Sequence, residues 1–359
     1  MPLDRSTRTS PPTSGSRRDC RLTPPAQHST LCRNTEQHMT MNKLERCAPA
    51  FRYLGFPERL TLARAYDLAA TTDGGNYASL LGTHIYKAQL GVARGALNAI
   101  QYCAPQYDSL IAGFNACPFA SEGCASTCIK NTGHNILGGA QRARIKRTLR
   151  WFLDPVQANR DLGRELTALE RRAERKNLIP TARLDGTSDL RFWAKVEGWE
   201  DRPTRFYDYT KRPPTTAHLD AYQRGWGVTY SLNENPSSVA FSHQWAWRGV
   251  NTAIVVGGPV DTTRTVAEAI AAELVRRGEF LGRPTIDGDR DDLRWMDPQV
   301  GGWVVLSAKG GKAKHEKHGF IVRFDPELLL GSSTFPEATL ISEFERFRLT
   351  NNRAAAAAK

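Results

Sequence analysis

The chain has 359 residues, room for one large domain or two, and a (β/α) barrel of roughly 250 residues plus a tail would fill it. Its 49 Lys and Arg against 37 Asp and Glu give a formal charge of +12, which favours a polyanionic partner. No apolar run reaches the roughly 18 residues of a membrane span, and the seven cysteines do not form a spread disulfide framework: Cys103, Cys117, Cys124 and Cys128 crowd one stretch. A soluble protein of a reducing, cytoplasmic compartment is expected.

Residues 1–48 are rich in Ser, Thr, Pro and Arg with no apolar period, so they read as a disordered basic arm that contains Cys20, Cys32 and Cys47. Met39 and Met41 offer alternative translation starts. A single α/β domain is expected over 49–345, with 346–359, ending in Ala-rich sequence, as a frayed tail. Strands are predicted at 109–115, 179–185, 204–209, 227–232, 252–257, 284–287 and 302–307, and helices at 156–177 and 264–277. In the first helix Val156, Leu162, Leu166, Leu169 and Ala173 form an apolar stripe among Arg and Glu. Strands separated by helix-length connections imply parallel pairing and an incomplete (β/α) barrel.

Cys117, Cys124 and Cys128 lie in Cys-Pro-Phe-Ala-Ser-Glu-Gly-Cys-Ala-Ser-Thr-Cys, a polar, turn-rich loop after the first predicted strand. Thiolates suit zinc and iron–sulfur clusters, and three on one loop leave a coordination position open. The spacing matches neither a zinc ribbon nor the common radical S-adenosylmethionine pattern. Cys103 or His134 would supply a fourth ligand and close the site. Packed, inert cysteines are the competing reading.

Polar groups recur where the predicted strands end: Asp185 and Asp189, Asp208 and Lys211, Asn233 and Glu234, Gly257 and Gly258, Asp287 and Asp289, then Lys309. Groups at the carboxyl ends of parallel strands converge on one face, where barrels build active sites; taken singly, each is an ordinary turn residue or cap. Asp185, Asp189, Asp208, Lys211, Asp287 and Asp289 are the catalytic candidates, and Asn233, Gly257, Gly258 and Lys309 the ligand-binding ones. Of the four acids after the sixth strand, Asp287 and Asp289 are expected to face the site, with Asp291 and Asp292 capping the next turn. Gln141-Arg-Ala-Arg-Ile-Lys-Arg-Thr-Leu-Arg150 carries Arg142, Lys146 and Arg150 at helical spacing, a charge ladder for nucleic-acid phosphates or else a solvated face.

The cysteine run, Arg183-Leu-Asp-Gly-Thr-Ser-Asp189, Phe206-Tyr-Asp-Tyr-Thr-Lys211 and Asp287-Gly-Asp-Arg-Asp-Asp-Leu-Arg294 together resemble a bacteriophage family described only as gene product 88, over roughly residues 80–325. The resemblance implies a phage, prophage or mobile-element origin and a bacterial host cytoplasm, and brings no activity with it. Two chemistries stay open. In one, the three cysteines hold a [4Fe–4S] cluster whose fourth iron takes substrate or S-adenosylmethionine, giving a radical enzyme acting on nucleotides or nucleic acid. In the other, zinc staples a nucleic-acid-binding or replication-associated module without turnover. A nicking tyrosine at Tyr207 lacks the His-hydrophobe-His pair that such chemistry uses.

Overall fold

The structure is a computed structural model that describes residues 43–83 and 86–331. Most of the predicted arm, with Cys20, Cys32, Met39 and Met41, and the predicted tail lie outside the described residues. The folded unit starts at Arg46, ahead of the expected boundary at 49. Helical turns run through 46–54, and Cys47 and Ala50 are fully buried there.

Ten strands form one mixed sheet in the order β1-β2-β3-β4-β5-β6-β9-β8-β7, with β10 beside β6. The strands are β1 (Leu81–Gly82), β2 (Ala96–Gln101), β3 (Ile179–Arg183), β4 (Arg205–Thr210), β5 (Gly227–Ser231), β6 (Thr252–Gly257), β7 (Glu279–Phe280), β8 (Arg283–Asp287), β9 (Trp303–Ser307) and β10 (Ile321–Arg323). From β2 to β6 the pairing is parallel and follows chain order, and β9 and β8 continue it in parallel. β1 and β7 add antiparallel edges. Among the described residues those two edges do not meet, so the sheet is open and the expected barrel is not closed. β5 pairs with the amino half of β6, through Thr252 and Ala253, whereas β10 takes the carboxyl half, opposite Val255, Val256 and Gly257. The two neighbours therefore part at the carboxyl end of the sheet.

The first parallel strand is Ala96–Gln101, and not 109–115. Every residue of it is buried, so it shows no alternation, and Ala, Asn and Gln are poor strand formers. Residues 109–115 are turns instead, with positive φ at Leu110 and Gly113.

The chain then forms helices α1 (Gly138–Leu153), α2 (Pro155–Arg175), α3 (Thr216–Gln223), α4 (Pro236–Ala246) and α5 (Arg264–Arg277). The start of α2 is set by Asp154, whose side chain accepts from Gln157 N–H at 2.9 Å, and by Pro155 in the first turn. Its buried Leu162, Leu166, Leu169 and Ala173 face β2 and β3, each leucine contributing roughly 1.5–3 kcal/mol. Val156, part of the predicted stripe, is exposed. α5 is capped by Thr263 and ends at Gly278 with φ 78°, packing Ala267, Ile270, Ala271 and Leu274 near β6, β8 and β9. Among the described residues no helix is long and apolar enough to cross a membrane.

The connection from β8 to β9 has no α-helix, only a short 3₁₀ turn at Arg294–Met296. It crosses the sheet face that carries Arg183 and Tyr207. Asp292 pairs with Arg183 at 3.0 Å and accepts from the Tyr207 hydroxyl at 3.3 Å, which in turn accepts from Asn98 at 2.8 Å. Asp291 pairs with Arg94 at 2.6 Å, and Trp295 lies against Gly227. One connection thus touches β3, β4 and β5 and reaches β2 through the Tyr207–Asn98 hydrogen bond. Of the four acids, Asp291 caps the next turn as expected, accepting from Leu293 N–H at 2.8 Å, but it and Asp292 are also buried, because each meets an arginine inside, while Asp287, expected to face the site, caps its own turn by accepting from Asp289 N–H at 2.9 Å and Arg290 N–H at 3.1 Å. Tyr207 is fully buried, which removes it as an attacking group.

Candidate functional site

The cysteine loop lies between β2 and β3 in sequence and is held from three sides. Ser121 caps the short helix Glu122–Ser126, accepting from Cys124 N–H at 3.3 Å. Glu234, just after β5, accepts from the Ser121 hydroxyl at 2.6 Å and from Gly123 N–H at 2.6 Å, while Asn233 donates to the Phe119 carbonyl at 3.3 Å. From the β3 side, Asp189 N–H donates to the Ala116 carbonyl at 2.8 Å, and the Cys117 sulfur lies 3.5 Å from the Thr187 carbonyl. On the third side, a Cβ added at Gly123 would lie 2.7 Å from Phe320 Cβ and 2.9 Å from both Glu234 Oε1 and Glu316 Oε1. The short helix is wedged between the ends of β5 and the segment joining β9 to β10.

Cys117, Cys124 and Cys128 are partly buried and unbridged. Burial pushes the Cys117 and Cys128 thiols up; for Cys117 the neighbouring Cys128 and Cys124 act in the same direction, and for Cys128 so does Cys124. Among the described residues, however, no three Cys, His, Asp or Glu side chains stand in a ready-made metal arrangement. His134 is exposed on a 3₁₀ turn, and Cys103 is fully buried, its thiol pushed up to about 12 by that burial.

Of the candidate groups at the ends of β3, β4 and β5, Asp189 and Asn233 hydrogen-bond directly to this loop, and Lys211 joins it through Asp189. Asp189 accepts from Thr210 Oγ1 at 3.1 Å and Lys211 N–H at 3.2 Å, and pairs with Arg212 at 3.2 Å. The Arg212 guanidinium lies 5.0 Å over the ring of Phe119. Lys211 donates from Nζ to Ser231 Oγ at 2.5 Å and stands 5.2 Å from the Phe320 ring centre. Asp185 is buried and caps the following turn, accepting from Ser188 Oγ at 2.6 Å and Leu190 N–H at 2.9 Å. Its own N–H donates to Asp208 Oδ1 at 2.7 Å, whereas Asp208 Oδ2 is buried without a partner. Burial raises both carboxyls, and a neighbouring acid raises each further: Asp189 for Asp185 and Asp185 for Asp208.

That orphaned oxygen gives a pH prediction. A carboxyl raised in the folded state contributes stability that is complete below its unfolded pKa, near 3.8, and is lost as pH rises through the folded value. Asp208→Asn keeps the acceptor for Asp185 N–H and removes the ionisation, so it is expected to raise the unfolding midpoint at pH 7.5, with the gain shrinking toward pH 4.5. Thermal unfolding at both pH values decides it; a variant less stable than wild type at pH 7.5 refutes the assignment.

The remaining candidates form a second group. Asp289 accepts from Ser307 N–H at 2.9 Å and from Lys309 Nζ at 2.5 Å, and these contacts hold its carboxyl below the usual range against the effect of burial. This group reaches the cysteine loop at Gly310, which packs directly on Thr132. Gly257 and Gly258 are explained by packing: a Cβ at Gly258 would lie 2.9 Å from Val266 Cγ1, and their carbonyls accept from Phe324 N–H at 2.9 Å and Arg323 Nη1 at 2.7 Å. They place β10 and α5 and are removed as ligand-binding candidates.

The match to known proteins rests on this same stretch of strands and loops. The gene product 88 family model matches residues 76–323. The chain belongs to that family. No curated protein and no solved structure matched it. The gene product 88 match covers β1 through β10, so the cysteine loop, both groups of polar residues and the β8–β9 connection are all inside it.

The expected charge ladder on α1 is corrected. Arg142 donates to the Tyr53 and Leu54 carbonyls, Lys146 to the Thr71 carbonyl at 2.8 Å and to Asp73 at 2.9 Å, and Arg150 is fully buried against Asp161 at 2.5 Å. Lys146 and Arg150 face inward, toward the 71–79 loop and Asp161, and Arg142 is only partly exposed, because α1 has few apolar residues and uses long cationic side chains to pack there. Sequence reading names Glu234 at a strand end without making it a candidate, and does not single out Arg212 or Glu316. Glu234 carried a visible signal, an acid directly at the end of a predicted strand; Glu316 sits in a lysine-rich segment that reads as surface.

Proposed function

We propose that this gene product 88 protein is an iron–sulfur enzyme in which Cys117, Cys124 and Cys128 hold three irons of a [4Fe–4S] cluster, leaving the fourth for S-adenosylmethionine or substrate, and that it acts on nucleotides or nucleic acid. The observation that carries this reading is that the loop bearing three partly buried, unbridged thiols is fastened beside the carboxyl ends of β3 and β5. An incomplete barrel is the frame it supposes, and strands β2 to β6, parallel in chain order, support that. The donor set suits the group: thiolates are soft ligands, and binding would have to displace the protons that burial holds on the Cys117 and Cys128 thiols. Binding would have to draw the sulfurs closer than they stand. When bound, such a cluster supplies single electrons for radical chemistry. Lys211, Asn233 and Lys309 would position an anionic or polar ligand beside it, with Asp185, Asp189, Asp208 and Asp289 setting the local charge; Asp287, as a turn cap, is the weakest of the group.

Zinc in the same loop is the second reading, favoured by the way Glu234 and Glu316 wedge the short helix as a structural element. Metal analysis after anaerobic purification separates the two. A brown protein with about four irons per chain is expected, falling to near none in Cys124→Ala, with far-ultraviolet circular dichroism unchanged. One zinc and no iron, with Cys124→Ala unfolded, would establish the module without turnover.

A further inference from the structure

The exposed side of α2 is not an ordinary solvated face. Arg160, Arg164, Arg171 and Arg175 are all exposed and, at 100° per residue, lie half a turn from the buried stripe of Leu162, Leu166, Leu169 and Ala173. Fifteen residues separate the first arginine from the last, about 22 Å along the axis. Small residues between them open a shallow groove of about 600 Å³, lined by Arg160, Arg164 and Arg171 around Gly163 and Thr167, with Arg202 on the far wall. Arg202 is fixed there, donating to both Glu170 oxygens at 3.1 Å and to the Gly163 carbonyl at 3.3 Å. No acid lines the groove. Asp161, which pairs with Arg164, is buried beneath it, and Glu174 stands at its edge.

Arg160, Arg171 and Arg175 make no ion pair or side-chain hydrogen bond with any described residue. On α5, by contrast, the arginines are neutralised locally: Arg264 pairs with Glu268 and Arg276 and Arg277 pair with Glu273, each at 2.7 Å. On α2 four exposed arginines share one face instead, and like charges four apart on a helix are mildly destabilising. We propose that this α2 face, with Arg202, binds the phosphate backbone of nucleic acid without reading its sequence. A linear array of exposed guanidinium groups, three of them unpaired, matches a backbone that offers a negative charge every ~1.7 Å of duplex, and arginine engages phosphate in bidentate fashion. The inference is independent of the cysteine centre, and its failure leaves the metal analysis untouched.

The test uses the full chain and a fluorescein-labelled DNA duplex, followed by anisotropy over a salt series. Arg160→Ala, Arg171→Ala and Arg175→Ala combined should weaken binding by about tenfold or more at low salt and reduce the slope of log affinity against log salt by about two to three, one contact's share per arginine. Unfolding should be unchanged, since none of the three has a partner to lose. A charge-matched control, Arg248→Ala with Arg264→Ala and Arg276→Ala, should leave the slope near that of wild type. An unchanged slope in the α2 variant, or an equal fall in the control, overturns the proposal. So does loss of binding to phosphatidylserine vesicles with DNA binding intact, which would assign the face to a membrane surface.

Discussion

Arg150→Ala is expected to destabilise the fold by about 3–5 kcal/mol while leaving the salt dependence of DNA binding as it is in wild type. Arg150 sits at the centre of a closed set: Nη1 donates to the Ala78 carbonyl at 2.6 Å, Nη2 donates to the Tyr77 hydroxyl at 2.8 Å and pairs with Asp161, and the Tyr66 hydroxyl donates to Asp161 at 2.6 Å. The guanidinium also lies 5.1 Å from the Tyr77 ring centre and 5.7 Å from that of Tyr66. Truncation leaves the Asp161 carboxylate beneath α2 with the exposed Arg164 as its remaining cation. Asp161 is held below its ordinary range by the Tyr66 and Arg150 contacts, against the effect of burial, so the contribution is present at neutral pH and lost as pH falls toward the folded value. Urea unfolding should show a lower midpoint with an unchanged m-value. A loss under about 1 kcal/mol would mean that the network is open to water. The pair of outcomes, stability from Arg150 and salt slope from the α2 stripe, separates two kinds of arginine that look alike in the sequence.

That separation marks the limit of sequence reading here. The spacing of Arg142, Lys146 and Arg150 is helical, and α1 is a helix; which side faces inward is decided by the 71–79 loop, far away in sequence and without a pattern of its own. On α2 the apolar stripe was legible, and the arginines opposite it were passed over as its solvated background. The parallel strands from 179 onward were readable because their Val, Ile, Tyr and Thr runs end in turn residues. Ala96–Gln101 was not, since a strand buried on both faces carries no alternation. The short β10 and the helix-free link from β8 to β9 escaped for another reason: three residues give no period, and four clustered aspartates do not reveal which of them meets Arg94 and Arg183. Gathering of Asp189, Lys211 and Asn233 beside the cysteine loop did follow from position alone, because carboxyl ends of neighbouring parallel strands must lie together.

Gly123→Ala is expected to have the largest effect on the candidate centre of any substitution outside the cysteines. The added Cβ would sit 2.7 Å from Phe320 Cβ, an atom tied to backbone, and 2.9 Å from the Glu234 oxygen that accepts the Gly123 N–H. Glutamate side chains can swing away, but here the swing breaks the hydrogen bonds that fasten the loop to the end of β5, and the β9–β10 segment must also move. Overpacking of this kind costs about 1–3 kcal/mol. The displaced helix carries Cys124 and leads directly into Cys128, so two of the three sulfurs lose their placement relative to Cys117, which is anchored separately beside Thr187. Metal per chain should therefore fall by more than half in Gly123→Ala, although no ligand has been altered. Gly138→Ala is the control: nothing lies within 4 Å of a Cβ there, its φ is not left-handed, and it opens α1, so metal content and stability should stay at wild-type levels. Full metal content in Gly123→Ala would show that the wedge does not position the cysteines, and would leave the loop to organise itself around whatever it binds.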